Sequence, residues 1–279
     1  MLAALVIVFR EAVEAGLVIG IVLAATRGVP GRGRRVAEGI AAGIAGALAV
    51  AAFAGEIADA FLGSGQELLN AAVLAVAVTM LGWHNVWMAG HGREMAAEMR
   101  RIGGDIAAGR RPLTALTVVV GMAVLREGSE TALFLYGVAA GGGGSAATML
   151  LGAAIGLAAA AALSALLYFG LLSVPTRHLF TVTTGLVTLL AAGLASQAIA
   201  FLQQAGVVEM WSAAVWDTSW LLSDGGLPGR LLHTLIGYTA APTGLQAVAY
   251  LSTIAAILGL MRLARGTPRL RPTVEEEAS

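Results

Sequence analysis

The chain has 279 residues, of which 58% are hydrophobic and only 12% charged, about half the roughly 25% charged fraction of soluble domains. So little polar surface excludes a self-covering soluble globule and makes the bilayer the expected solvent, in an all-α polytopic membrane protein. The 17 basic and 17 acidic residues cancel, which argues against a nucleic acid or other polyanionic partner, and without Cys any metal must be held by oxygen or imidazole.

Seven transmembrane helices are predicted, at about 2–26, 36–54, 68–90, 113–139, 147–173, 179–203 and 246–263. Each is long enough to cross roughly 30 Å at about 1.5 Å per residue. The first is expected to be retained, because no basic n-region precedes it and Arg10, Glu11 and Glu14 interrupt its apolar run. All 17 basic residues are Arg. They cluster after the first span (Arg27, Arg32, Arg34, Arg35), the third (Arg93, Arg100, Arg101, Arg110, Arg111), the fifth (Arg177) and the seventh (Arg262, Arg265, Arg269, Arg271). The opposite connections carry one, Arg230. The positive-inside rule then places the N-terminus outside and the C-terminus in the cytoplasm of a cell (inner or plasma) membrane protein.

In chain order, the first span carries Arg10-Glu11-Ala12-Val13-Glu14, and the second opens with Gly39 and Gly43 at the small-xxx-small spacing of close helix packing. Glu56, Asp59 and Glu67 are expected in an acidic outer loop, solvated or gathering cations. The third span holds Met80 and Met88, with Met95 and Met99 beyond it, all expected as gap fillers. It also carries His84 and Asn85 between Trp83 and Trp87. A lone His beside Trp reads first as an interfacial anchor, and second, with Asn85, as a pathway residue.

The fourth span carries Arg126-Glu127-Gly128-Ser129-Glu130. The Gly141 to Gly144 run with Ser145 reads as a flexible turn without chemistry, and the fifth span repeats the glycine pair as Gly152 and Gly156. In the sixth span Gln197, Gln203 and Gln204 are expected to form interhelical hydrogen bonds, with Gln197 also a pathway candidate. The outer segment 204–245, with Trp211, Trp216, Trp220, Glu209, Asp217 and Asp224, is expected to lie in the interface as a short helix.

The Arg-Glu-x-x-Glu string recurs 116 residues after its first occurrence, and the glycine pairs echo it. The chain therefore reads as a single membrane domain, 1–279. Repeat one spans about 2–90 and repeat two about 113–203. The outer segment 204–245, helix seven at 246–263 and a cytoplasmic tail at 264–279 complete it. Three spans per copy reverse the direction of the second, giving a 3+3 inverted-topology repeat plus one helix, with a site expected near the midplane.

A charge at the centre of a membrane helix costs about 2.5–3.5 kcal/mol on the insertion scale, so six of them must face one another or a hydrated cavity. Glu11 and Glu14 share a face at i,i+3 and Arg10 reaches Glu14 at i,i+4; Glu127, Glu130 and Arg126 repeat the geometry. Four carboxylates with two guanidiniums leave a net charge of minus two, suited to a hard cation. Buried ion pairs that fix helix register, or a proton relay, remain alternative uses of the same residues.

These motifs, in the first and fourth of seven spans, resemble the signature of the oxidase-dependent high-affinity iron permeases, a family with fungal and bacterial EfeU-type members. The stretches Thr79-Met80-Leu81-Gly82-Trp83-His84-Asn85-Val86-Trp87-Met88 and Ile236-Gly237-Tyr238-Thr239-Ala240-Ala241-Pro242 extend the resemblance over nearly the whole chain. It implies a permease rather than an enzyme. Iron ions would be the transported substrate, without a tightly bound cofactor, delivered by an extracytoplasmic iron-oxidising or iron-delivering protein. Glu11, Glu14, Glu127 and Glu130 match the motif carboxylates, and Arg10 and Arg126 the charge-compensating arginines. Gln203-Gln204 departs from the acidic residue or His often found at the end of span six, which removes an expected outer ligand. The competing readings are transport of another hard or divalent cation (Mn, Pb) and a membrane di-iron oxidoreductase. The second lacks its usual Glu-x-x-His pairs, since none of His84, His91, His178 and His233 makes one with these Glu.

Overall fold

A computed structural model describes residues 1–60, 66–142, 144–170, 176–223 and 226–266. Gly143, Asp224, Arg269 and Arg271 lie outside the described residues, as do the side chains of Glu56, Asp59, Arg93, Arg177, His178, Arg230 and Arg265. Among the described residues there are eight helices: α1 (Leu2–Ala25), α2 (Arg32–Ala60), α3 (Gln66–Ala107), α4 (Thr114–Ala140), α5 (Ala146–Tyr168), α6 (Thr176–Gln204), α7 (Leu227–Ile236) and α8 (Gly244–Gly266).

Five of these contain segments long and apolar enough to cross a membrane: Arg32–Phe53, Glu67–Gly92, Ala146–Tyr168, Phe180–Gln204 and Gly244–Ala264. The helices α1 and α4 are also long, at 24 and 27 residues, and differ in carrying the Arg-Glu-x-x-Glu strings. Outward-facing side chains of α2, α5 and α8, among them Leu48, Phe53, Leu150, Leu251 and Leu263, are exposed and apolar, as lipid-facing surfaces are.

Helix ends follow local chemistry. Thr26 Oγ1 donates to Val22 O at 2.8 Å and Arg32 Nη1 to Leu23 O at 2.9 Å, so a cation satisfies carbonyls at the negative end of α1. Ser145 caps α5 by accepting from Thr148 N. At the start of α8, Thr243 and Gln246 cap each other reciprocally, Thr243 N donating to Gln246 Oε1 at 2.8 Å and Gln246 N to Thr243 Oγ1 at 3.3 Å. Pro228 sits in the first turn of α7, and Gly237 closes that helix in the left-handed conformation, φ +70°.

Three expectations are corrected. The inner connection expected after residue 90 is helical as far as Ala107, because no Pro interrupts it and Ile102 and Ile106 pack on Val22 of α1 and Leu116 of α4. The turn that ends it carries Arg110, which donates to Asp105 Oδ1 through Nε at 3.0 Å and Nη2 at 2.7 Å, holding the Asp105 carboxyl below its ordinary range. Glu56 and Asp59, expected in a loop, lie within α2, whose Ala-rich end contains no Pro. Among the described residues between α6 and α8, expected as one short interfacial helix, only α7 is helical. Residues 205–223 are irregular and lie against the strand-like approach to α8, with Val215 N donating to Pro242 O and Thr218 N to Ala240 O.

In lipid, apolar side chains gain little by leaving the surrounding tails, so helix association rests on close packing and interhelical polar contacts. The glycines do this work. A Cβ on Gly39 would lie 2.7 Å from Thr117 O, and one on Gly43 2.7 Å from Gly121 O, so only bare backbone lets α2 approach α4. Gly152 and Gly156 bring α5 equally close to the backbone of α1 at Met1 and Leu5. The main core gathers Ile7 of α1, Leu74 and Leu81 of α3, Phe134 of α4, Val187 of α6 and Ile257 of α8. Thus α3 packs on α6 and α8 and turns another face to α1 and α4, where the site lies.

Candidate metal site

Three helices supply the site. From α1, Glu11 and Glu14 project from one face with Arg10 between them: Arg10 Nη1 is 3.5 Å from Glu11 Oε1 and Arg10 Nε 3.2 Å from Glu14 Oε1. All three are buried; Arg10 is 1% exposed. From α4, Arg126 Nε donates to Glu130 Oε1 at 3.1 Å and lies 3.8 Å from Glu127 Oε1. The two halves of this arrangement are unequal, since the Arg126 side chain is 36% exposed.

His84 of α3 stands between them. Its Nε2 lies 3.6 Å from Glu11 Oε2 and 3.5 Å from Glu14 Oε2, and its Nδ1 is in direct contact with Glu130 Oε2. The ring is 2% exposed and meets Phe134 edge-on, with centroids 6.3 Å apart. One ligand atom from each of Glu11, His84, Glu127 and Glu130 lies within 4.8 Å of every other.

Turned away from Arg10, Oε2 of Glu11 and of Glu14 are buried without a hydrogen bond, as are Oε2 of Glu127 and Nε2 of His84. Buried polar atoms are ordinarily satisfied, so this concentration of bare oxygens and nitrogen has the donor chemistry of a cation site. A cavity of about 460 Å³ between α3 and α4 reaches the cluster from the Arg126 and Glu130 side, lined also by Thr79, Met80, Trp83 and Trp87.

The structure brings together Glu11, Glu14, Glu127, Glu130, Arg10, Arg126 and His84. For His84 the anchor reading is overturned: the turn of α3 that exposes Trp83, at 72%, points the next side chain inward. Asn85 is buried but faces α6, donating to Thr188 Oγ1 at 3.2 Å. Gln197 lines a separate cavity of about 40 Å³ with His233 and Gly237. Gln203 ties α6 to the approach to α8, its Oε1 accepting from Thr243 Oγ1 at 3.0 Å, while Gln204 is exposed. Trp87 enters the site by lying under Arg126, a contact between spans that residue spacing did not reveal.

The profile of the Iron permease FTR1 family matches residues 1–266. The chain belongs to that family. It is 30% identical over 241 residues to the ferrous iron permease EfeU of Escherichia coli O6:K15:H31 (strain 536 / UPEC), covering 85% of this chain and 86% of the relative. Over 240 residues it is 31% identical to the EfeU of Escherichia coli O6:H1 (strain CFT073), with the same coverage. A Shigella flexneri EfeU is 32% identical over 192 residues, 68% of this chain and 81% of the relative. No solved structure matches at a comparable level of significance. Family membership and the apolar helices together make this a multi-pass membrane permease of the iron-transport class.

Proposed function

We propose that the chain imports iron ions across the cell membrane through a mid-membrane site formed by the two Arg-Glu-x-x-Glu motifs. The observation that carries this reading is the meeting of Glu11 with Glu127 and Glu130, their ligand atoms within 4.8 Å, at the crossing of α1 and α4. Four carboxylates from two helices form an anionic oxygen cage for a hard cation. Arg10 and Arg126 hold one side of each carboxylate pair and limit the charge of the empty site.

The cage is proposed to sit between the halves of a seven-span, 3+3 inverted repeat in one membrane domain. In support, the 116-residue offset from Arg10 to Arg126 also separates Met1 from Thr117 and Leu5 from Gly121, the backbones on which Gly152 and Gly156, and Gly39 and Gly43, respectively pack. The contact of α2 with α4 is thereby matched by that of α5 with α1. A cytoplasmic C-terminus is proposed from the Arg bias. It is supported by the shared location of the end of α1, the start of α4 and the end of α3, where Arg27, Arg32, Arg110 and Arg111 gather.

The curated relatives are named for ferrous iron, which makes Fe²⁺ the first ion to test, followed by Fe³⁺ and Mn²⁺. An extracytoplasmic oxidase or iron-delivery protein is the proposed partner. The deciding experiment is uptake into reconstituted vesicles, normalised to folded protein, by wild type, Glu11→Gln and Glu127→Gln. Loss of iron uptake with folding intact is the expected result. Near-normal uptake in both variants would make these carboxylates structural counter-ions.

A further inference from the structure

We infer that His84 is a nitrogen ligand of the transported cation, contributed through Nε2, and that it biases the site toward transition metals over Mg²⁺ and Ca²⁺. The inference rests on the carboxylate-cage reading above and adds a residue outside both motifs, from a third helix.

The distances divide the two ring nitrogens by task. Nδ1 is in direct contact with Glu130 Oε2. A ring nitrogen facing a carboxylate oxygen that closely carries the proton, because two lone pairs there would repel. Nε2 lies 3.6 Å from Glu11 Oε2 and 3.5 Å from Glu14 Oε2, beyond the roughly 2.7–3.2 Å of an N–H···O hydrogen bond. Those separations fit a different relationship. Around an ion with bonds of about 2.1 Å, neighbouring ligand atoms stand about 3.0 Å apart in an octahedron and about 3.4 Å in a tetrahedron. Nε2 therefore stands off each of the two carboxylate oxygens by slightly more than the separation of neighbouring ligand atoms around one ion.

The surroundings match what a metal-bound imidazole requires. A ligating His donates its other ring N–H to a carboxylate or carbonyl, which sets the tautomer and the ring orientation. Glu130 provides that acceptor, and is itself held through Oε1 by Arg126, whose guanidinium lies over Trp87. The carboxyl at Nδ1 lies on the far side of the ring from an ion at Nε2, so Glu130 contributes its charge and the orientation of the imidazole, while Glu11 and Glu14 face the ion. Phe134 flanks the ring edge-on, and Nε2 makes no hydrogen bond to any protein group.

An imidazole ligand has a chemical consequence. Oxygen-only cages suit Mg²⁺, Ca²⁺ and Mn²⁺, whereas imidazole nitrogen suits Fe, Ni, Cu and Zn. One nitrogen among carboxylates lets the site keep its anionic pull while favouring iron over the far more abundant alkaline-earth ions.

The test uses Mn²⁺ as a paramagnetic probe bound to the full-length protein in lipid nanodiscs, read by electron spin echo envelope modulation. Wild type is expected to show the ¹⁴N modulation of a directly coordinated imidazole, replaced by a ¹⁵N signal when the four histidines are ¹⁵N-labelled. His84→Gln is expected to bind Mn²⁺ without that modulation, and its preference for Fe²⁺ over Ca²⁺ in competition binding should fall about tenfold or more, the scale on which ligand-shell changes act. Bound Mn²⁺ with no nitrogen coupling in wild type, or coupling that persists in His84→Gln, would overturn the inference while leaving the cage intact. Mn²⁺ binding unaffected by Glu127→Gln would overturn the cage itself, and this inference with it. The labelled wild-type spectrum decides the matter even if the variant fails to fold.

Discussion

The guanidinium of Arg126 lies over the indole of Trp87, 4.1 Å from the ring centroid. In a partly dehydrated site such a contact contributes about 0.5–2 kcal/mol, and here it holds the one motif arginine that the cavity exposes. A double-mutant cycle of Trp87→Leu with Arg126→Gln, followed by thermal unfolding in detergent, should return a coupling energy in that range. Trp87→Phe, which keeps a ring face, should lose less. A coupling indistinguishable from zero would show that the two side chains merely lie near each other.

Arg10 and Arg126 occupy matching motif positions but different surroundings, and their removal should differ accordingly. Arg10→Ala leaves Glu11 and Glu14 deep in the protein without their guanidinium, a loss of about 3–5 kcal/mol for a broken buried pair. Arg126→Ala should cost less, because its side chain is partly open to the cavity and Glu130 retains His84. The folded fraction after extraction and the unfolding midpoint of the two variants give the comparison. Equal losses would contradict the asymmetry of the site.

Replacing Gly43 tests the close approach of α2 to α4. Gly43→Ala places a methyl group 2.7 Å from Gly121 O and against Val124, so the helices must part. Overpacking of this kind costs typically about 1–3 kcal/mol. Gly20→Ala on α1 serves as the opposite case: its Cβ meets nothing within 4 Å, and exchanging a helical Gly for Ala should gain up to about 0.5–1 kcal/mol. Unfolding midpoints moving in opposite directions are the expected outcome.

Orientation can be read by labelling, since the chain has no native Cys. Ser145→Cys, exposed at the N-cap of α5, should react with a membrane-impermeant maleimide from outside intact cells. Ala108→Cys, exposed beyond the end of α3, should react only after the membrane is opened. The reverse pattern would invert the proposed topology.

The helices and the carboxylates of the site were legible in the amino-acid order alone, because both are local properties. An apolar run of bilayer length has few alternatives to a helix, and Arg10, Glu11 and Glu14 share a face by helical periodicity whatever surrounds them. The cost of such charges in lipid also required the two motifs to find polar company. Local order could not reveal how far helices run past the membrane, as α3 does to Ala107, where Ile102 and Ile106 find partners on α1 and α4. Nor could it reveal the role of His84. The third helix is apolar on most sides, so its sequence does not say which face turns inward. That choice is made by Leu74, Ala77 and Leu81, which share a helical face with His84 and pack into the core, Ala77 against Gly137 and Leu74 against Gly141 at the end of α4, which rotates Trp83 outward and His84 into the carboxylates of two helices distant along the chain. Side-chain identity set the chemistry available, and the rotation of one packed helix decided which of it is gathered at a single point.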